Sequence, residues 1–220
     1  MSATSPMEHS GRVHHPVVAR LMPWFFDRAH ARGQGEHRRE LLAGLTGSIL
    51  EVGAGNGSNF PHYPAAVTEV VAVEPESYLR GLAEEAARRA RFRVRVVDGL
   101  AERLPAEDAA FDAGVASLVL CSVADPRAAI AELFRVIRPG GSLRFYEHVR
   151  SPDQGLARVQ QVLDRLLWPR VSGGCHCGRD TGSLIEAAGF LVEVRRRLVF
   201  RPHPFFFHLS PHILGRARRP

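Results

Sequence analysis

The chain has 220 residues, 45% hydrophobic and 24% charged. That composition fits one globular core with a small appendage and excludes disordered or fibrous classes. No apolar run approaches the roughly 18–20 residues that cross a bilayer. The N-terminal MSATSPMEHSGRVHHP lacks the apolar centre of a secretion signal, so a cytoplasmic protein without stable membrane insertion is expected. The formal charge is +6, but all 29 basic residues are Arg, mostly scattered among acids. Solvated Arg-rich faces account for this more simply than a nucleic-acid surface, so no nucleic-acid partner is expected. Cys121, Cys175 and Cys177 make no disulfide framework. The neighbouring trio Cys175, His176 and Cys177 is too tightly spaced to wrap one tetrahedral ion, so no metal is expected.

Residues 1–47 read as an N-terminal helical appendage. HHPVVARLMPWFFDRA mixes apolar and charged residues at helical spacing, interrupted by Pro23, and EHRRELLAGL continues as a short amphipathic helix up to Gly47. From residue 48 to 220 the pattern alternates. SILEVG and EVVAVEP are strands, SYLRGLAEEAARRA a helix, and FRVRVVDG a strand. Another strand lies near 111–117, followed by the helix PRAAIAELFRVI with Pro126 in its first turn and the breaker RPGG behind it. SLRFYEHV is the next strand. QGLARVQQVLDRLLW is a helix ended by Pro169, and TGSLIEAAGF a short helix closed by Gly189. FLVEVRRRLVF and PFFFHLSPHIL are expected as two antiparallel strands, with 204–209 an aromatic strand segment. Repeated strand–helix–strand order means a parallel sheet with helices on both faces and a ligand site at the carboxyl strand ends.

The first strand runs into Glu51-Val52-Gly53-Ala54-Gly55-Asn56-Gly57. A dinucleotide loop would place its third glycine one residue later, and a P-loop would need a Lys. A carboxylate two residues before the first glycine would repel a pyrophosphate. It suits a ligand that carries an ammonium and a sulfonium. The stretch resembles motif I, E/D-x-G-x-G-x-G, of the class I S-adenosylmethionine-dependent methyltransferases. The resemblance implies a Rossmann-like α/β fold, a seven-stranded sheet with helices on both faces and an antiparallel C-terminal strand. It also implies S-adenosylmethionine as cofactor and cofactor contacts at Glu51, Gly53, Ala54, Gly55, Gly57 and Asn59.

Companion landmarks follow in order. Glu74 ends the second strand, before Pro75, where a carboxylate can accept both ribose hydroxyls. After the third strand, DGLAERLP matches the family's G-D-A-E-x-L-P with Leu100 in place of Asp. Adenine is then expected to meet backbone and apolar groups at Gly99, Leu100 and Ala101. The fourth strand, with Ala116, Ser117 and Leu118, matches the strand under the methionine part, and Arg138-Pro139-Gly140-Gly141 matches the turn before strand five.

Outside these landmarks, LVLCSV, YEHV, QQVLD, GGC with Arg179, and SPHILG resemble the methyltransferase-like thiol S-methyltransferases, relatives of the quinone-biosynthesis-type enzymes. This implies in-line methyl transfer to a small apolar thiol. A thiolate is already partly present at neutral pH, so positioning does most of the work. His148, at the carboxyl edge of strand five, is the candidate base or acceptor-orienting residue, histidine being the side chain suited to proton transfer near neutral pH. The alternative is a histidine bonded only to structure. Cys121 and Ser122 are candidates for the methyl pocket, and Cys175 for an acceptor contact. Arg179 either attracts an anionic acceptor or caps the helix near Asp180. His14, His15, Trp24, Phe25 and Phe26 are candidates for an aromatic lid, with Tyr63 facing it.

Transfer to oxygen, nitrogen or carbon of a natural-product or quinone-type acceptor is the alternative, and a non-catalytic cofactor-binding protein a further one. A base-methylating enzyme would carry D/N-P-P-Y/F after strand four, where this chain reads ASLV. Homo-oligomerisation is left open.

Overall fold

The structure is a computed structural model describing residues 19–20, 30–201 and 204–220. Seven strands form one sheet in the order β3-β2-β1-β4-β5-β7-β6. They are β1 (Gly47–Val52), β2 (Val67–Val73), β3 (Arg93–Val97), β4 (Phe111–Ser117), β5 (Ile137–His148), β6 (Leu191–Val199) and β7 (Pro211–Arg218). The first five are parallel, and β7 runs antiparallel between β5 and β6. The helices are α1 (Gly35–Leu42), α2 (Ser77–Ala87), α3 (Pro126–Val136), α4 (Gln154–Leu166), α5 (Trp168–Val171) and α6 (Thr181–Ala187). The strand order reverses between β1 and β4, which opens the crevice where ligands bind in such sheets.

The central strands are apolar on both faces because helices cover both. Leu50, Val52, Val71, Val73, Leu143 and Phe145 point to one core, completed by Ile130 and Leu133 of α3 and Ile185 of α6. Ile49, Val70, Ala72, Val115 and Tyr146 point to the other, completed by Leu41 and Leu42 of α1 and Ala83 of α2. Successive residues alternate between the two cores, as the two-residue strand period requires. The part of the N-terminal segment that contains α1 thus packs directly on the sheet.

Helix starts follow local chemistry. Glu76, Asp125, Asp153 and Asp180 each accept a backbone N–H of the first turn of α2, α3, α4 and α6. Pro126 stands at the start of α3, where its missing N–H costs nothing.

Three expectations are corrected. Residues Pro204–Leu209 form a 3-10 segment, with Phe205 and Phe207 exposed, not a strand. The antiparallel register pairs Val199 with Pro211, so 204–209 must belong to the connection that turns the chain back. Pro169 does not stop the helix; α4 ends at Leu166 and Pro169 sits in the first turn of α5. Arg138-Pro139-Gly140-Gly141 is not a break before a strand but an irregularity inside β5. There the register jumps from Phe111↔Ile137 to Ala113↔Ser142 and Gly140 takes φ 79°.

Candidate functional site

The loop after β1 needs its glycines. Gly53, Gly55 and Gly57 have φ of 63°, 58° and 78°, a region that side chains with a Cβ rarely enter. A Cβ on Gly53 would also overlap the Val119 side chain. The loop is fastened to the end of β2: Gly53 and Ala54 donate to Val73 O, and Gly55 N donates to Glu74 Oε2 at 2.8 Å. Glu74 Oε1 accepts the Glu76 N–H at 3.0 Å. Each carboxylate oxygen thereby keeps a second lone pair for a ligand hydroxyl. Burial raises the Glu74 carboxyl, against the Glu76 and Gly55 hydrogen bonds.

Glu51 is buried at the end of β1. Tyr63 Oη and Asn59 Nδ2 donate to it at 2.8 Å each, and Arg38 Nη1 donates to Asn59 Oδ1 at 2.6 Å. Burial pushes the Glu51 carboxyl up to about 7, while the Tyr63 and Asn59 bonds and the Arg38 charge pull the other way. The buried amide of Asn59 links Arg38 to Glu51. Tyr63, also buried, spends its hydroxyl proton on Glu51.

Across the crevice, Ala116 and Ser117 are buried and Leu118 takes φ 59°, an uncommon conformation for a side chain of this size. Its N–H donates to Tyr146 O at 2.7 Å. Gly99, Leu100 and Ala101 follow β3; Ala101 is buried, and Leu100 forms a bridge with Arg103.

The next turn brings three residues from distant parts of the chain together. His148 Nδ1 lies 3.5 Å from Cys121 Sγ and 3.7 Å from Cys175 Sγ. All three side-chain ligand atoms are within 4.8 Å of one another. Both cysteines are buried and His148 is half-buried. Their shared hydrogen bond holds the Cys175 thiol well below its ordinary value, helped by His148, and holds Cys121 well above it.

The supports of this cluster are extensive. Glu147, fully buried, accepts the N–H groups of Val119, Leu120 and Cys121 at 3.0–3.1 Å. His176 N donates to Cys121 O at 2.7 Å. Arg179 Nη1 donates to Leu120 O and Val123 O at 2.7 and 2.8 Å. Gly174 passes Ser122 O so closely that a Cβ would sit 2.7 Å from it. On the far side, Gln160 donates to Cys177 O and His208 O, and Asp164 accepts from the Cys177 and Gly178 N–H groups.

This arrangement matches known proteins over nearly its whole length. The methyltransferase-domain family matches residues 50–145. Thiol S-methyltransferase TMT1B of Mus musculus is 34% identical over 219 residues, covering 92% of this chain and 87% of that protein. The chain belongs to the thiol S-methyltransferase family. Thiol S-methyltransferase TMT1A of Homo sapiens is 35% identical, covering 91% of this chain and 87% of the relative. Among solved structures, geranyl diphosphate methyltransferase in complex with SAM superposes with a TM-score of 0.66 at 15% identity, covering 95% and 94% of the two chains. The chain is therefore an S-adenosylmethionine-dependent methyltransferase on the class I fold. Among the described residues, no helix is long and apolar enough to cross a membrane.

In this methyltransferase, the expected cofactor residues Glu51, Gly53, Ala54, Gly55, Gly57, Glu74 and Pro75 gather at the carboxyl ends of β1 and β2. Ala116, Ser117 and Leu118 lie on the neighbouring strand. Cys121, Cys175 and His148 do meet. Arg179 does not cap α6, which Asp180 caps itself. Its guanidinium ties the 120–123 turn to the cysteine loop. His14, His15, Trp24, Phe25 and Phe26 lie outside the described residues. Sequence reading passed over Arg38 and Glu147. Arg38 sits on a helix that reads as amphipathic and solvated, and Glu147 sits in a strand whose pattern shows no reason for a buried acid.

Proposed function

We propose that this enzyme transfers the methyl group of S-adenosylmethionine to the sulfur of a small apolar thiol. The observation that carries the reading is the 34% identity to thiol S-methyltransferase TMT1B across 92% of the chain.

The geometry supports the cofactor's placement. The three positive-φ glycines leave the loop without side chains, so the methionine part can approach its backbone closely. Glu51 suits its ammonium, and Glu74 has two lone pairs suited to the ribose hydroxyls. Gly99, Leu100 and Ala101 offer backbone and apolar contact to adenine. When bound, the cofactor supplies an electrophilic methyl on a sulfonium. The protein's task is alignment: the acceptor sulfur must lie opposite the leaving sulfur, roughly 3 Å from the methyl. A bond from acceptor sulfur to carbon forms as the bond from carbon to the sulfonium breaks, leaving a thioether and S-adenosylhomocysteine. Cys121, His148 and Cys175 are the acceptor-side residues, with His148 orienting the incoming sulfur.

The test is methyl transfer from labelled S-adenosylmethionine to a panel of alkyl thiols, aryl thiols, phenols and quinols, with the methyl located by mass spectrometry. Methylated sulfur is expected. Methylation confined to oxygen or carbon would overturn the thiol assignment. Cofactor binding with no turnover of any acceptor would point to a non-catalytic role.

A further inference from the structure

We propose that Cys121, His148 and Cys175 bind a zinc ion whose fourth position receives the acceptor's sulfur; this rests on the thiol reading above. Two sulfurs lie 3.5 and 3.7 Å from one and the same nitrogen, Nδ1 of His148. One ring nitrogen makes a good hydrogen bond with one partner, not two. Two near-equal distances are what three ligands around a common centre produce. With zinc bond lengths of about 2.3 Å to sulfur and 2.0–2.1 Å to nitrogen, a tetrahedron places sulfur about 3.6 Å from nitrogen. Its two sulfurs stand about 3.8 Å apart by the same lengths, and the three atoms here lie within 4.8 Å of one another.

The ligand chemistry agrees. Two thiolates and an imidazole form a soft to borderline set that selects zinc over magnesium or calcium. Three protein ligands with an open fourth position are the pattern of catalytic rather than structural zinc. The outer shell is built for it. Glu147 and the His176 N–H fix the backbone at Cys121, and Arg179 locks that turn to the loop carrying Cys175. The His212 ring packs 4.6 Å from the His148 ring and holds it in place. Cys177 turns away to Asp164, and the partner of Cys175 is Cys121, 54 residues earlier.

The position is apt. Cys121 lies two residues past Val119, which packs on Gly53 of the cofactor loop. An entering thiol forms a sulfur–zinc bond as its proton leaves to water. That sulfur then donates a lone pair to the methyl, and the electrons of the breaking bond stay on the sulfur of S-adenosylhomocysteine. The neutral thioether is a weaker zinc ligand than the thiolate it replaces, which favours release. In this scheme His148 acts as a ligand, and no side-chain base is needed.

The experiment measures zinc bound to the full chain by elemental mass spectrometry after zinc loading and dialysis, and records the spectrum of the cobalt-substituted protein. One zinc per chain is expected in the wild type and in Cys177→Ser. In His148→Ala and Cys175→Ala it should fall to under about a tenth, while circular dichroism and S-adenosylmethionine binding persist. The cobalt protein should show tetrahedral bands and thiolate charge-transfer bands that shift with an acceptor thiol but not with a phenol. Should a variant fail to fold, the wild-type cobalt spectrum still decides. A folded wild type without zinc, a Cys121–Cys175 disulfide in its place, zinc retained in Cys175→Ala, or full thiol methylation by metal-free protein would each overturn the proposal. Zinc bound in an enzyme that methylates only oxygen would leave the metal site standing and overturn the thiol acceptor.

Discussion

Glu51, proposed to face the cofactor's ammonium, should make cofactor binding pH-dependent. Its carboxyl is buried and pushed up to about 7, so below neutrality it is protonated in the cofactor-free enzyme. An ammonium beside it favours the charged form, so binding must expel the proton. The sign follows: as pH falls below 7, affinity weakens. Each unit costs about 1.4 kcal/mol, a factor of ten, so pH 5 should bind roughly a hundredfold more weakly than pH 7.5. Above about pH 8 the cofactor's own amino group loses its proton, which turns the profile downward again. Calorimetry in two buffers of different ionisation enthalpy, over pH 5 to 9, reads both affinity and proton release. Glu51→Gln should flatten the acid limb and bind about 10- to 100-fold more weakly at pH 7.5, the value of a hydrogen bond to a charged group. Arg38 and Glu74 also act on this carboxyl, so the comparison with the variant isolates Glu51. A flat acid limb in the wild type, or no proton release at pH 6, would refute the placement of the ammonium at Glu51.

The other expectations are simpler. Glu74→Ala removes the suggested ribose acceptors and the anchor of the Gly55 N–H, and should weaken cofactor binding by about 2–4 kcal/mol, or 30- to 1000-fold; unchanged affinity by calorimetry would sink the ribose assignment. Gly55→Val puts a β-branched residue at φ 58° and should abolish binding with the fold retained by circular dichroism; normal binding would refute the loop's role. Glu147→Ala strands three backbone N–H groups and should cost about 3 kcal/mol or more, a fall in Tm of roughly 6–12 °C by calorimetric melting. An unmoved Tm would mean those bonds are not made in solution. His148→Ala should cut thiol turnover by far more than it weakens cofactor affinity, and wild-type turnover across the pH range would remove it from the acceptor site.

What the sequence determined by itself was local. The alternation of strand and helix, Pro126 in the first turn of its helix and the glycine spacing after Glu51 all act within a few residues, so their physics can be read from a short window. That is why the sheet and the glycine loop at its carboxyl edge were legible. The failures at 204–209 and 138–141 have the opposite cause: an aromatic run or a Pro-Gly pair takes its conformation from the strand it must pair with. Only the tertiary structure decided which charges are buried. Arg38 is drawn in because Asn59, which donates to Glu51, accepts from it, and Glu147 because three amides of another strand's end need an acceptor. It also decided the partners of the cysteines. Cys121 follows β4, His148 ends β5, and Cys175 lies on a loop that Gln160, Asp164 and Arg179 carry back over both. No window of sequence contains all three, and sheet order alone brings β4 beside β5.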